Sequence, residues 1–471
     1  MKRYLYSTII FFIAAVSLAG GWYETLSLAL SAILLVMLLD KIGKGIVLRE
    51  TIAFLYAFTC LVMPVIGYKY YDPTNGLAKL WVRYMPVPEN NYFSYALPAV
   101  AFFAFAITLP FRVDNYTDDG NEVKVLIDRI KKILTRTPKI GLVIISIGLI
   151  VSLGIKFIPG GLQFFATLFF FSSFAGLLYI YYAPNFKYKY SLMVLFGLFI
   201  IYNAISVGMF TIVAYMGITI FSFLMLGKRT SLLRKITIFC VAAFFMIVLQ
   251  NVKLAYRDYI WRSNYSDSKV ALFADLFWKN IQKGDELIEQ NAFFQIYTRG
   301  NQGFNVALVM RRIPAIKPYD NGNNITKAFA SAFVPRFLWP DKPEAGGKFN
   351  MEYYTGWVIN GWSTNVGPLG EAYGSFGVTG GIIYMFFLGL FIRWVYVRVF
   401  KSSIKIPLMV CWLPVFFFQI VSSAETDSLQ IFNSLIKSAF FVWLIVKIFP
   451  LWFGIVRKQV LRPRVAASSP V

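Results

Sequence analysis

The chain predicts an all-α integral membrane protein of about 12 transmembrane helices, with a large helical external loop between helices 9 and 10. Three observations predict it. Apolar residues make up 58% of the 471, mean hydropathy is +0.61, and apolar runs repeatedly approach the length that crosses a bilayer, which is about 20 residues. One stretch, 252–373, abandons that composition: it carries 14 of the 46 Lys and Arg and 11 of the 23 Asp and Glu. A plain connecting loop is rarely so long. Basic residues, finally, collect in alternate connections along the chain.

Taken in order, the spans are expected at 4–20, 23–39, 47–67, 92–111, 140–157, 162–183, 189–206, 209–226, 235–251, 376–397, 406–423 and 429–449. The N-terminal MKRYLYSTIIFFIAAVSLAG has no A-x-A-like cleavage site and runs directly into another span, so it reads as a retained first span. The chain divides into spans 1–9 over 1–251, the external loop over 252–375, spans 10–12 over 376–450, and a tail over 451–471. An even number of spans puts both termini on one side. The connections on that side hold Lys41, Lys44 and Arg49, then Lys124 through Lys139, then Lys228, Arg229, Arg234 and Lys235, and later Arg393 to Lys405. The opposite short loops hold only Lys69, Lys79, Arg83 and Lys156. The positive-inside rule therefore makes both termini cytoplasmic and the 252–373 loop external. The net charge of +23 is a topology signal. It is spread over many short loops and not gathered on one face, which argues against nucleic acid as a partner.

What is missing narrows the chemistry. With no histidine anywhere, Ser-His and Cys-His pairs, HExxH zinc sites and any imidazole base are excluded. Neither Gly43-Lys44 nor Gly227-Lys228 is followed by Ser or Thr, so there is no Walker A loop, and a DxD motif is lacking in the polar stretches. Cys60, Cys240 and Cys411 all fall inside expected spans and read as small buried hydrophobes. Carboxylates, Arg, Lys, Tyr and backbone groups remain to carry any reaction.

Within the loop, residues 269–297, 301–312 and 325–333 read as helices, broken by Pro314, Pro318, Pro335, Pro340 and Pro343. Two aromatic-flanked motifs stand out, VPRFLWPDKP at 334–343 and STNVGPLGEAYGSFG at 363–377. Gly374, Gly377, Gly380 and Gly381 would let the tenth span approach a neighbour closely. Aromatic residues at 90–95 and 352–362 suit either sugar stacking or an interfacial belt. Lys437, near the middle of the last span, is a functional candidate because a charge inside a membrane is costly.

The many spans, the single large loop late in the chain, PRFLWPDKP, and a Ser followed by GEAYGSFGVTGG resemble the oligosaccharide repeat-unit polymerases, the Wzy-type O-antigen polymerases. The likeness is architectural over the whole chain and local over 334–381. It implies a GT-C-like glycosyltransferase of the bacterial inner membrane that needs neither metal nor other cofactor. Such an enzyme joins undecaprenyl-pyrophosphate-linked oligosaccharides at the periplasmic face. Its implied partners are that lipid-linked substrate, the lipid bilayer, a chain-length regulator co-polymerase and a flippase. Two other readings stay open: an O-antigen ligase, which shares the layout, and a lipid-linked oligosaccharide flippase, for which internal repeats and charges lining the spans would be expected.

The implied reaction assigns roles. A pyrophosphate leaving group calls for guanidinium and ammonium groups, so Arg257, Arg299, Arg312 and Lys342 are candidate substrate-binding residues, with Tyr373. Arg336, set between Pro335 and Phe337-Leu338-Trp339, is the candidate catalytic guanidinium. Glu371, beside the entrance to span ten, is the first candidate for the base that takes the acceptor hydroxyl proton, and Asp341 the second.

Overall fold

The computed structural model describes residues 21–114, 116–208, 210–228, 230–262, 267–282, 290–334, 338–344, 346–359 and 364–455. Among them every long element is helical. In chain order these are α1 (Trp22–Lys41), α2 (Leu48–Tyr70), α3 (Glu89–Thr108), α4 (Gly120–Arg136), α5 (Ile140–Leu153), α6 (Gln163–Tyr182), α7 (Lys189–Val207), α8 (Thr211–Met225) and α9 (Leu232–Arg262). The cap follows, with α10 (Lys269–Gln282), α11 (Gln290–Gly300), α12 (Gln302–Arg312), α13 (Asn323–Phe333) and α14 (Gly347–Thr355). Then come α15 (Gly367–Lys405), α16 (Pro407–Phe417) and α17 (Ser428–Ile448).

Eight helices among the described residues are long and apolar enough to cross a membrane, or nine if α4 and α5, bent by 85° at their junction, act together. This is the signature of a multi-pass membrane protein. The expected first span, 4–20, lies outside the described residues. The expected spans at 209–226 and 406–423 correspond to α8 and α16, which are shorter apolar helices. α4 differs from the loop expected over 112–139. Val123, Leu126, Ile127, Ile130 and Leu134 recur at helical spacing and are buried, and the charged face looks outward.

α3 and α15 pack along one another at the centre, and α15 is built for it. A Cβ at Gly381 would come within 2.8 Å of the Tyr95 ring, so only glycine lets the two helices approach this closely. Four residues earlier Gly377 takes φ 69 and ψ −160, which breaks α15 into an outer and an inner arm and is a conformation open to glycine at little cost. α9 is the opposite case. Only 12% of its apolar window is buried, so it presents a lipid-facing surface. Its 31 residues are roughly 46 Å long at 1.5 Å per residue, against a hydrocarbon core of roughly 30 Å. Lys253 and Arg257 lie on its last three turns, beyond its apolar stretch.

The two ends of the bundle differ chemically. At one end the cap helices pack on the C-terminal half of α2 and the N-terminal ends of α15 and α17. At the other, Asp118 accepts from Arg49 (3.0 Å), Lys41 (3.1 Å) and the Tyr396 hydroxyl (2.9 Å), while Lys41 also pairs with Glu50 at 2.9 Å. Lys41 and Arg49 count in the sequence among the basic residues of a connection. They are 9% and 2% exposed and tie α1, α2, α3 and α15 together. Burying cations is tolerable here because each meets a carboxylate and further oxygen acceptors.

Candidate functional site

The turn between α16 and α17 carries two acidic residues with separate sets of partners. Glu425 accepts from Arg299 of α11 at 3.0 Å and from the Tyr215 hydroxyl of α8 at 2.8 Å. Lys253 and Arg257 of α9 lie close enough for their charges to interact with Arg299, and Lys253 also with Glu425. Arg257 is steered there by its Nε donating to Gly208 O at 2.9 Å. Among the described residues, Glu425 is thus the carboxylate that Arg299 and Lys253 both meet, with Arg257 close to Arg299.

Two residues on, Asp427 is fully buried and caps α17, accepting from Gln430 N at 2.6 Å. It also accepts from Gly346 N (2.8 Å) and the Asn365 side chain (3.0 Å). Burial pushes its carboxyl above the ordinary value, against the pull of those donors. The next backbone N–H, of Ser428, donates to Glu371 at 2.8 Å. Glu371 sits in the first turns of α15, where Gly367 at φ 71 and Pro368 start the helix. Gln302 and Asn305 of α12 hold that start in place by donating to Asn365 O at 2.6 and 2.9 Å.

Glu371 is 2% exposed, and no lysine or arginine among the described residues pairs with it. Its second oxygen accepts from the Asn350 amide at 2.7 Å. Asn350 in turn accepts from the Asn324 amide at 3.2 Å, and Asn324 lines an open cleft of about 540 Å³. The cleft walls include Trp339, Asp341, Glu344, Phe349, Tyr353 and Lys327. Phe349 and Tyr353 stack at 5.4 Å, and Phe349 is 48% exposed. Flat apolar faces beside carboxylates, amides and an ammonium suit a sugar, whose ring faces are apolar and whose rim is hydroxylated.

The residues singled out from sequence separate into groups. Arg257 and Arg299 come together, as do Asp341 and, through Asn350 and Asn324, Glu371. Arg336 lies outside the described residues. Lys342 is 8% exposed and donates to Ser331 O and Val334 O at 2.9 and 3.0 Å, closing the end of α13. Tyr373 is packed between the rings of Tyr95 and Tyr319. Arg312 lies over Gly356 with its Nε buried and unpartnered among the described residues. Burial, helped by the nearby Arg312 charge, lowers the pKa of Lys317, which covers the Tyr353 ring. Lys437 stands over the Phe164 ring at 4.8 Å.

Sequence reasoning missed Lys253, Glu425 and Asp427. One signal was available for the acidic pair: two carboxylates in a five-residue gap between apolar spans, on the same side as the large loop.

Residues 124–455 match a family described as a domain of unknown function, DUF8712. No curated protein and no solved structure matches the chain.

Proposed function

The chain belongs to the DUF8712 family, and for it we propose glycosyl transfer between lipid-linked oligosaccharides at the cap end of the membrane, the reaction of a polysaccharide polymerase. One observation carries the reading: the turn holding Glu425 and Asp427 joins an anion-attracting cluster to the framework of a sugar-sized cleft. Lys253, Arg257 and Arg299 would hold the pyrophosphate of the donor. The cleft would hold sugars, stacked on Trp339, Phe349 and Tyr353.

In the reaction the bond from the donor anomeric carbon to the pyrophosphate oxygen breaks, and a bond from that carbon to an acceptor hydroxyl oxygen forms. The electron pair leaves on the lipid pyrophosphate, whose growing charge the cation cluster stabilises. The acceptor proton goes to a carboxylate. Asp341 is exposed in the cleft and reaches it directly, whereas Glu371 reaches it only through two amides. Asp341 is therefore assigned as the base and Glu371 as the group that positions the cleft floor. Arg336, three residues before Trp339, is a further guanidinium for the pyrophosphate.

The reading includes twelve spans with both termini cytoplasmic in a bacterial inner membrane, a GT-C-like arrangement, and no bound metal. It also takes a chain-length regulator and a flippase as working partners. Deleting the protein tests it in cells: single-repeat glycans should persist on the final carrier while long ladders vanish. Loss of every repeat would assign the protein to ligation or flipping instead.

A further inference from the structure

Gly43-Lys44 and Gly227-Lys228, which fail as nucleotide loops, meet at the end of the bundle away from the cap. Three turns converge there. Gly227 N donates to Gly43 O at 3.0 Å, and Gly120 N to Lys44 O at 3.1 Å. Each of these glycines has a positive φ, 84 at Gly43, 71 at Gly120 and 80 at Gly227, so the junction depends on residues that tolerate the left-handed region. Between the turns lies a pocket of about 340 Å³.

Its lining is cationic. Lys44, Lys124, Lys228 and Lys235 all contribute, against Asp119 in the wall and Asp40, which pairs with Lys44 at 2.6 Å. Lys235 is 8% exposed and donates to Leu39 O at 2.7 Å, which fixes its ammonium in the wall. The Thr230 hydroxyl also lines the pocket and is buried without a hydrogen-bond partner among the described residues. A buried hydroxyl with no partner is unfavourable, and an anionic oxygen in the pocket would supply one.

We propose that this pocket binds a phosphate group, presented by an anionic phospholipid. The source follows from α9, which supplies Lys235 and in the same turns exposes Leu232 (58%), Leu233 (75%), Ile236 and Phe239. A phosphate seated among the lysines would have its acyl chains beside that apolar lane. Dispersed basic loops attract any anionic surface, but here a cavity, fixed turns and an unsatisfied donor gather at one point.

The test uses the full chain purified in neutral detergent, with dioctanoyl phosphatidylglycerol as the probe. Dioctanoylglycerol, lacking phosphate, and inorganic phosphate are the comparison ligands. Affinity is read from the ligand-dependent rise in thermal unfolding midpoint and from adducts in native mass spectra. Phosphatidylglycerol should bind and dioctanoylglycerol should not. The triple change Lys44→Gln, Lys124→Gln and Lys228→Gln should weaken binding on the order of 100-fold, from about five-fold per lysine. If that variant does not fold, Asn121→Glu decides, because it places a negative charge at an exposed position of the same wall. Tight binding of inorganic phosphate, lost in the same variants, would uphold the phosphate site and assign it to the free anion. Equal binding of dioctanoylglycerol, or unchanged phosphatidylglycerol binding in the variants, would overturn the proposal.

Discussion

Replacing Glu371 separates a base from a positioning residue. In Glu371→Ala two buried donors, Ser428 N and the Asn350 amide, lose their acceptors at 2.8 and 2.7 Å. An orphaned buried group costs about 1 to 3 kcal/mol, so the pair should lower stability by about 2 to 6 kcal/mol. Glu371→Gln is different. Its carbonyl can keep Ser428, and its new amide group can donate to Asn350 if Asn350 and then Asn324 turn their amides over. The series ends at Asn324, which borders the cleft, so the swap should cost under about 1 kcal/mol. Unfolding by SDS in mixed micelles gives the stability, and polymer length per inserted molecule gives the activity. The expected result is a destabilised alanine variant and a glutamine variant close to the parent in both measures. A glutamine variant that is stable yet loses activity by about 100- to 10,000-fold, the usual effect of deleting a base, would refute the positioning role. An alanine variant as stable as the parent would refute the network itself.

Other outcomes follow from the same geometry. Asp341→Asn, at an exposed position, should leave stability unchanged and lower the turnover of purified protein by about 100-fold or more. Arg299→Ala should reduce turnover by about 100- to 1000-fold, and Arg299→Lys should restore little because the two-pronged geometry is lost; near-normal rates in both would remove the cluster from the site. Trp339→Ala should raise KM for the acceptor with little change in kcat, read from initial rates, if the ring only holds sugar. Accessibility labels at positions 120 and 230 should report cytoplasm and those at 75, 285 and 345 the other face. Protection of 285 from outside reagents would reverse the orientation and defeat the whole placement.

Much of the fold could be read because membrane helices are set by a strong one-dimensional signal, uninterrupted apolar length. The cap helices at 302–312 and 323–333 were readable for a related reason, helical spacing between prolines. α14 was not, since GKFNMEYYT has no apolar stripe of its own and is ordered by burial of Met351 and Tyr354. Nor was the outer arm of α15 over 367–376, where four glycines and a proline in and beside it suggest a loop. The site was half legible. Arg257 and Arg299 were chosen as guanidinium groups for a pyrophosphate, but Glu425, which brings Arg299 in, is 126 residues away from it in sequence. Asp427 carries no motif in the sequence, and only the fold reveals Gly346, Asn365 and Gln430 around it. Lys342 shows the converse, a basic residue in a promising motif that closes a helix end.

The most direct measurement of the central claim is polymerisation by the purified protein. Detergent-solubilised chain would be supplied with undecaprenyl-pyrophosphate-linked single repeats, with no nucleotide and no other protein, and the products separated by size. The proposed chemistry predicts a ladder of longer lipid-linked glycans with release of undecaprenyl pyrophosphate, abolished by Asp341→Asn. Single repeats returned unchanged by protein that is folded and monodisperse would contradict it.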